Sequence, residues 1–141
     1  MPKKSGKTLF EHELSHSSEL LRLAAADQGS SHVLAKENFL GQACFHAQQT
    51  AEKALKAVLV VNQIPYPYVH ELLLLAALLP EKIKSSVPLL QDLPILDKYS
   101  VKARYDEGPF PATIEDAKEA LTIADQILTW AKSLVEDKLR C

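Results

Sequence analysis

Small and apolar residues near the start of the chain recur every three or four positions, a spacing that predicts an amphipathic helix. The stripe consists of Phe10, Leu14, Ser17, Leu21 and Ala24. Thr8 and Glu11 have the spacing of a capping box, in which a hydroxyl and a carboxylate satisfy amides of the first turn. The Gln28-Gly29-Ser30-Ser31 segment is typical of a turn. We therefore predict a first helix over about residues 9–28.

The stretch from Ala35 to Asn62 has the longest uninterrupted helical pattern of the chain. One stripe is small and apolar: Ala43, Ala47, Ala51, Ala54, Val58 and Val61. The opposite stripe is polar: Gln42, His46, Gln49, Lys53 and Lys56. This pattern predicts one long amphipathic helix whose small residues let a neighbouring helix approach closely. Glu52 precedes Lys56 by four residues, the favourable order for a helical ion pair worth roughly a few tenths of a kcal/mol.

The strongest amphipathic pattern follows the Gly108-Pro109-Phe110-Pro111 segment, where a helix cannot continue. Thr113 and Asp116 again have capping-box spacing, so we predict that the last helix begins there. Its apolar stripe consists of Ile114, Ala117, Leu121, Ala124, Leu128, Ala131 and Val135, widened by Ala120, Ile127 and Leu134.

Prolines interrupt the chain between the second and the last helix. The linker Ile64-Pro65-Tyr66-Pro67 cannot continue a helix, because each proline lacks an amide donor. The segment from His70 to Leu79 is almost wholly apolar and predicts a short buried helix. Beyond Pro80 the pattern is less regular and favours a helix that runs toward Arg104, broken or kinked near Pro94.

The composition also favours helices, because the 141 residues include 23 Leu and 17 Ala but only 4 Gly. The length suits one domain that can bury a core without disulfides or a structural metal. We predict an all-α fold, an antiparallel up-and-down bundle of four to five helices. Residues 1–7, which include three lysines, are expected to form a disordered basic segment, and residues 8–141 a single domain.

Charge and cysteine content restrict the classes of function. With 16 basic and 18 acidic residues the formal charge is -2, so any contact with nucleic acid must be local. Cys44 and Cys141 are too few for a disulfide framework, which suits a reducing cytoplasm. The N-terminal lysines precede no continuous apolar stretch, and the longest apolar run, Leu72–Leu79, is too short to span a membrane. We therefore expect a cytoplasmic protein.

Well-known phosphate and metal motifs match the sequence poorly. The tripeptide Gly6-Lys7-Thr8 matches the tail of a phosphate-binding loop but lacks the preceding glycine and strand. Glu13 and His16 have the spacing of di-iron ligands, yet that site needs the same motif on two helices. We predict no metal site and no cofactor. With so few glycines, phosphate binding would have to use side chains on helix faces.

The histidines and one arginine-tyrosine pair remain as candidate catalytic or binding residues. The histidines that lie among polar residues near the start, and are expected to be solvated, are His12, His16 and His32. His46 lies on the polar stripe of the second helix, which suits a solvated face or a functional group. His70 lies where the proline linker meets the third helix, and it suits a cap, a core hydrogen bond or catalysis. Arg104 beside Tyr105 can bind phosphate and stack a base, or form a structural ion pair.

Four segments, taken in order, resemble the HEPN domain family. Residues Phe45–Ala57 resemble its second-helix signature, an alanine-rich helix with a Gln-x-x-Glu-Lys-Ala-Leu-Lys pattern. The other three segments are His70-Glu71-Leu72, similar to its His-x-Leu element, Ala103-Arg104-Tyr105, similar to its Ala-Arg-Tyr element, and Glu115-Asp116-Ala117 with Ala120-Leu121, similar to its last helix. The resemblance covers about residues 8–136, nearly the whole chain.

The resemblance implies a helical bundle that commonly forms a homodimer, is often encoded beside a minimal nucleotidyltransferase, and binds nucleotides or RNA. Many members of the family are metal-independent ribonucleases, toxins of toxin–antitoxin pairs. Their active site is an arginine followed, after four to six intervening residues, by a histidine. This sequence departs from that pattern, because no histidine follows Arg104 and nine residues separate Arg22 from His32.

We therefore predict a non-catalytic homodimer, within a toxin–antitoxin module, that binds a nucleotide or RNA phosphate, a nucleotidyltransferase partner, or both. The predicted binding residues are Gln49, Lys53, Lys56, His70, Arg104 and Tyr105. The alternative is a ribonuclease toxin in which His70 supplies the proton acceptor that Arg104 cannot provide. A third hypothesis is a structural helper of the nucleotidyltransferase. For the homodimer, Leu72–Leu79 and the widened stripe of the last helix predict an apolar face left exposed by the closed bundle.

Overall fold

The computed structural model describes residues 9–101 and 111–140 of the chain. In chain order the elements are α1 (Leu9–Lys36), α2 (Leu40–Val61), α3 (Leu72–Ala77), α4 (Glu81–Lys84), a 3-10 turn (Leu90–Asp92), α5 (Pro94–Asp97) and α6 (Ile114–Leu139). The three long helices α1, α2 and α6 form the bundle, and the short elements connect α2 to α6. Within the described ranges there is no strand, so the predicted all-α helical bundle is confirmed.

α1 extends to Lys36 instead of ending near residue 28, so the predicted turn at Gln28–Ser31 is wrong. Contacts within α1 and with α6 hold these residues in the helix. The Ser31 hydroxyl donates to the Gln28 carbonyl at 2.7 Å, and the Gln28 side-chain amide donates to Asp125 of α6 at 2.8 Å. A glycine inside a helix costs only about 1 kcal/mol relative to alanine, an amount that such contacts can offset.

α2 is the central helix of the bundle and packs against both α1 and α6. It begins at Leu40 rather than at Ala35, because Asn38 adopts a left-handed φ of 69° and turns the chain between the two helices. The predicted apolar stripe is confirmed, and its buried residues are Ala43, Ala47, Ala51, Ala54, Val58 and Val61. These small side chains allow the neighbouring helices to lie close to α2.

α1 runs antiparallel to both of its long neighbours. Ser17, in the first half of α1, donates its hydroxyl to the carbonyl of Ala57 near the end of α2 at 2.8 Å. At the other end of α1, Ala35 lines one groove together with Leu40 and Ile114, the first residues of α2 and α6. α2 and α6 therefore point in the same direction, and residues 62–113 carry the chain back along the bundle.

The connection between α2 and α6 contains the largest departures from the predicted boundaries. α3 confirms a short helix, but the prediction that it is buried holds for one face only, that of Leu72, Leu75 and Ala76. It begins at Leu72, where the Asp97 carboxylate accepts the Leu72 N–H at 3.0 Å. The single helix predicted toward Arg104 is replaced, within the described residues, by the 3-10 turn and α5. Leu89 precedes them with a left-handed φ of 52°, and this backbone angle interrupts a right-handed helix. Residues 102–110, including Arg104, lie outside the described residues.

α6 begins as its capping-box spacing predicts. The amide of Asp116 donates to the Thr113 hydroxyl at 3.0 Å, and the Asp116 carboxylate accepts the Thr113 N–H at 2.9 Å. The predicted stripe is buried except for Ile114, and of the residues that widen it Ala120 and Ile127 are buried and Leu134 is half-buried. The prediction that this stripe leaves an apolar face exposed is therefore wrong, because the other long helices cover it. The capping box predicted for α1 involves Thr8, which lies outside the described residues. None of the helices in the described part of the chain is long and apolar enough to cross a membrane.

Candidate functional site

The polar stripe of α2 divides into two ionic clusters on adjacent sides of the helix. We call the first the Glu52 cluster, and it consists of Gln48, Glu52, Lys56 and His70. We call the second the Asp27 cluster, and it consists of Asp27, His46 and Lys53. Each cluster centres on one carboxylate that contacts a lysine of α2 and the Nδ1 atom of a histidine.

The Glu52 carboxylate is nearly buried, with 7% of its side chain exposed. It accepts hydrogen bonds from the Gln48 amide at 2.9 Å and the Lys56 ammonium at 2.8 Å. His70 Nδ1 lies 3.2 Å from each of the two carboxylate oxygens. The cluster thus joins three positions of α2, spaced by four residues, to the segment that precedes α3.

The charge on Glu52 is stabilised by its partners. Burial raises the pKa of the Glu52 carboxyl. The hydrogen bonds from Lys56, Gln48 and His70 and the charge of Lys56 together lower this pKa by more than burial raises it. The net pKa lies below the ordinary value of 4.5. Glu52 is therefore a carboxylate at neutral pH, and as a carboxylate it can only accept hydrogen bonds.

The predicted ion pair between Glu52 and Lys56 is confirmed, and it is mostly covered rather than fully exposed. Only 14% of the Lys56 side chain is exposed, and its ammonium lies 5.3 Å from the centre of the Tyr66 ring. Tyr66 belongs to the proline linker, so the linker covers the lysine with an aromatic face. Removal of either member of the ion pair would leave an uncompensated charge in this environment.

His70 is the accessible member of the Glu52 cluster, because 47% of its side chain is exposed. The Tyr68 ring contacts the imidazole edge to face, with 5.1 Å between ring centres. His70 lines a cleft of about 320 Å³, and the other lining residues are Tyr68, Val69, Glu71, Asp97 and Ser100. A small cleft with one supported imidazole and an exposed tyrosine is suited to a polar ligand.

Asp97 links this cleft to α3. Burial raises the pKa of the Asp97 carboxyl, the hydrogen bond from the Leu72 N–H lowers it, and the charges of Glu71 and Glu52 raise it, with a net value above 3.8. Because Asp97 fixes the start of α3 two residues after His70, it also restricts the backbone that carries the imidazole.

The Asp27 cluster joins α1 to α2. The Asp27 carboxylate contacts His46 Nδ1 at 2.7 Å and the Lys53 ammonium at 2.5 Å. His46 is only 22% exposed, so the interpretation of this stripe as a solvated face is wrong. α1 covers this side of α2 and supplies the matching carboxylate.

Among the residues predicted to bind a ligand, the structure brings His70 and Lys56 together on Glu52. Gln49 is attached to the same cluster, because its amide donates to the Gln48 side-chain oxygen at 2.7 Å. Lys53 belongs to the Asp27 cluster instead. Arg104 and Tyr105 lie outside the described residues.

The central position of Glu52 and the participation of Gln48, Asp27 and Asp97 were not predicted from the sequence. The spacing of Gln48, Glu52 and Lys56 by four residues was an available signal for one connected row on a helix. Asp27 and Asp97 gave no such signal, because tertiary structure alone brings them to α2 and α3.

The remaining histidines show no comparable site. His12 and His16 are exposed, as predicted. His32 is also exposed, although its Nε2 atom contacts the Asp125 carboxylate at 2.9 Å and joins α1 to α6. In the parts of the chain that the structure describes, no three histidine, cysteine or acidic side chains are grouped so that they could hold a metal ion.

The protein is an all-helical domain in which a buried glutamate contacts a histidine at a small cleft. This architecture agrees with the class of domain that the second-helix signature indicates. The sequence model of the HEPN domain matches residues 17–134. The chain therefore belongs to the HEPN domain family.

Individual relatives agree with this assignment. The chain is 30% identical over 132 residues to the protein named Putative toxin MJ1304 of Methanocaldococcus jannaschii, an alignment that covers 84% of this chain and 87% of that protein. The crystal structure of TT1696 from Thermus thermophilus is similar, with a TM-score of 0.74, 29% identity, and coverage of 84% of this chain and 98% of that one. The crystal structure of ST0689, described as an archaeal HEPN homologue, has a TM-score of 0.64, 27% identity and coverage of 85% and 98%.

Proposed function

We propose that this chain is a toxin-like HEPN protein that binds a phosphate-bearing ligand, a nucleotide or RNA, at the cleft beside the Glu52 cluster. The observation that carries the proposal is the position of His70, half exposed at the cleft and supported from behind by a buried carboxylate. The relative named as a toxin supports the toxin-like role. We place the protein in the cytoplasm, where nucleotides and RNA are present.

The residues of the proposed site have different tasks. His70 is accessible and contacts the ligand directly, and Tyr68, exposed beside it, offers a ring on which a base can stack. Lys56 is too buried to reach far into the cleft, so its main task is to hold Glu52. We retain Arg104 and Tyr105 as ligand contacts because they follow Ser100, a cleft residue, closely in the chain.

Local charge limits the strength of the proposed binding. Glu71 and Asp97 line the cleft, and the charges of Lys56 and Lys53 are matched by Glu52 and Asp27. The phosphate of a ligand therefore depends on Arg104, with little help from the net field of the protein, while His70 contacts a hydroxyl or an amine of the same nucleotide. We expect modest affinity that weakens as salt increases.

Titration with ATP and with a short RNA at two salt concentrations tests this proposal. The wild-type protein should bind at least one of them, more weakly at the higher salt concentration. The variant His70→Ala should lose the binding, and the matched variant His46→Ala, which removes the histidine of the Asp27 cluster, should retain it. Absence of binding to both probes, or equal loss in the two variants, would contradict the proposal.

The ribonuclease alternative is favoured by one specific observation, the contact between Glu52 and His70 Nδ1. A carboxylate behind an imidazole is an arrangement that orients histidine for proton transfer. In this alternative His70 accepts the proton of the attacking hydroxyl, and Arg104 stabilises charge on the phosphate. Expression should then arrest growth, and His70→Ala should relieve the arrest. Harmless expression together with intact RNA would exclude the ribonuclease.

We also propose that the protein is a homodimer that associates through α3. The outer face of α3 exposes three large apolar residues, Leu73, Leu74 and Leu78. Exposed apolar residues grouped on one face are typical of an interface. The wild-type protein should have the mass of a dimer in light scattering, and Leu74→Lys should shift it toward the monomer. A monomeric wild-type protein would contradict this proposal.

A nucleotidyltransferase is the proposed partner protein, whether or not this chain has a ligand of its own. Co-expression with a minimal nucleotidyltransferase from the same genome, followed by purification through a tag on this chain, should recover both proteins in one peak. Separate elution of the two proteins would contradict the partnership. Recovery of the complex without any binding of ATP or RNA would favour the role of a structural helper.

A further inference from the structure

The contact between Glu52 and His70 determines more than the position of the imidazole. We propose that Glu52 is a positioning residue that holds neutral His70 as its Nδ1–H tautomer and presents Nε2 to the cleft as a proton acceptor. This inference rests on the proposed function for its biological meaning, because it concerns the same cleft. It concerns the ligand-free protein, however, and can be tested without any ligand.

Side chains of α2 contact His70 at both its imidazole and its backbone. His70 Nδ1 lies at the same distance, 3.2 Å, from both oxygens of the Glu52 carboxylate. The Gln48 amide, which also contacts that carboxylate, lies 3.4 Å from the backbone carbonyl of His70. α2 therefore contacts both the side chain and the main chain of His70.

The proton of this contact lies on the imidazole. A carboxylate has no hydrogen to donate, so the hydrogen between Glu52 and the imidazole must belong to His70 Nδ1. The lowered pKa of Glu52, whose charge Lys56 and Gln48 stabilise against the effect of burial, keeps the carboxylate ionised at neutral pH. The hydrogen bond at one ring nitrogen determines the state of the other. Neutral His70 therefore carries its lone pair on Nε2.

The position of Nε2 follows from that of Nδ1. The two nitrogens flank Cε1 and point away from the ring in different directions, and Nδ1 faces the nearly buried Glu52. Because His70 lines the cleft and its Nδ1 is occupied by Glu52, Nε2 is the ring nitrogen left for a ligand there. The Tyr68 ring lies edge to face at 5.1 Å from the imidazole, and the hydrogen bond from Leu72 N–H to Asp97 fixes the following backbone.

The consequence is a chemical preference of the cleft. An imidazole that presents a lone pair binds a group that donates a hydrogen bond, such as a hydroxyl or an amine. An imidazole free to exchange tautomers would present a donor and an acceptor in turn. Glu52 selects one tautomer without touching the ligand. Carboxylates that accept a hydrogen bond from a catalytic or metal-binding histidine have the same effect in other proteins.

Nuclear magnetic resonance of the full-length protein, labelled with ¹⁵N in histidine, tests this inference at about pH 8, where ordinary imidazoles are neutral. The ¹⁵N shifts of His70 should show a protonated Nδ1 and an unprotonated Nε2. In Glu52→Gln the two nitrogens should move toward averaged shifts. In the matched control Asp27→Asn, the shifts of His46 should change while those of His70 stay as in the wild type.

The wild-type spectrum alone can overturn the inference, so it remains testable even if Glu52→Gln does not fold. A His70 that carries its proton on Nε2 would contradict it. Unchanged His70 shifts in folded Glu52→Gln would contradict it as well. Failure of ATP and RNA to bind would overturn the proposed function but leave the tautomer intact, so the two failures are distinguishable.

Discussion

The two ionic clusters of α2 contain the same groups but differ in what surrounds them. In both, a carboxylate contacts one lysine and the Nδ1 atom of one histidine. In the Asp27 cluster the histidine is mostly covered, because the carboxylate comes from a long packed helix. In the Glu52 cluster the histidine comes from a linker segment and stays half exposed at a cleft.

This difference shows why residue type and spacing alone do not define a functional site. His46 and His70 have equivalent partners, but His70 has about twice the exposed fraction and lines a cleft. The Asp27 cluster acts as a clamp between α1 and α2. Both clusters remove a carboxylate from solvent, but only in the Glu52 cluster does that carboxylate hold an imidazole that is about half exposed.

Removal of the Glu52 carboxylate should have the largest effect on stability. Glu52→Ala leaves the nearly buried Lys56 without its counter-charge, so we expect a loss of about 3 kcal/mol in the free energy of unfolding. Urea unfolding followed by circular dichroism measures it. A loss below about 1 kcal/mol would mean that water reaches Lys56 freely, and that this cluster is no more buried than a surface ion pair.

Removal of the Asp27 carboxylate should cost less. Its partners His46 and Lys53 are more exposed than Lys56 and can recover water, so Asp27→Ala should lower the free energy of unfolding by about 2 kcal/mol. The same urea experiment applies. ATP affinity should not change in this variant. If Asp27→Ala were more damaging than Glu52→Ala, our ranking of the two clusters would be wrong.

Acid should remove the advantage of Glu52 over glutamine. The folded state lowers the pKa of Glu52 below its unfolded value near 4.5, so the stabilisation exists above that pH and is lost as pH falls through the folded pKa. The free energy of unfolding of the wild type should exceed that of Glu52→Gln by about 1 kcal/mol at neutral pH, and this difference should disappear in acid. Thermal unfolding of both proteins from about pH 7 to about pH 3 measures the gap. A gap independent of pH would exclude an electrostatic origin.

A substitution beside the Asp27 cluster should increase stability slightly. Gly29 lies inside α1, and a Cβ atom built there meets nothing within 4 Å. Gly29→Ala should raise the free energy of unfolding by about 0.7 kcal/mol, because alanine loses less backbone entropy in a helix. The melting temperature records this gain, and ATP binding at the other cluster should not respond. A destabilised variant would show that this part of α1 is not regular helix.

The long helices could be predicted from the sequence more accurately than the candidate site. The alanine stripe of α2 and the capping box of α6 were predicted correctly because they depend on local spacing. The extension of α1 through Gly29 could not be predicted, since Asp125 from a distant helix holds that region. The same limit applies to the site, where linker folding brings His70 to Glu52. The second-helix signature was the one sequence pattern that pointed to α2 as a helix with a functional role.

The most direct test of the central claim compares the two histidines in one experiment. Imidazole resonances of His70 and His46 are followed by nuclear magnetic resonance while ATP is added to the wild-type protein, and again with the short RNA. We predict that at least one of the two probes shifts the signals of His70 in a saturable way and leaves those of His46 in place. Equal shifts of both histidines, or movement of His46 alone, would contradict the account, as would a His70 signal that stays fixed with both probes.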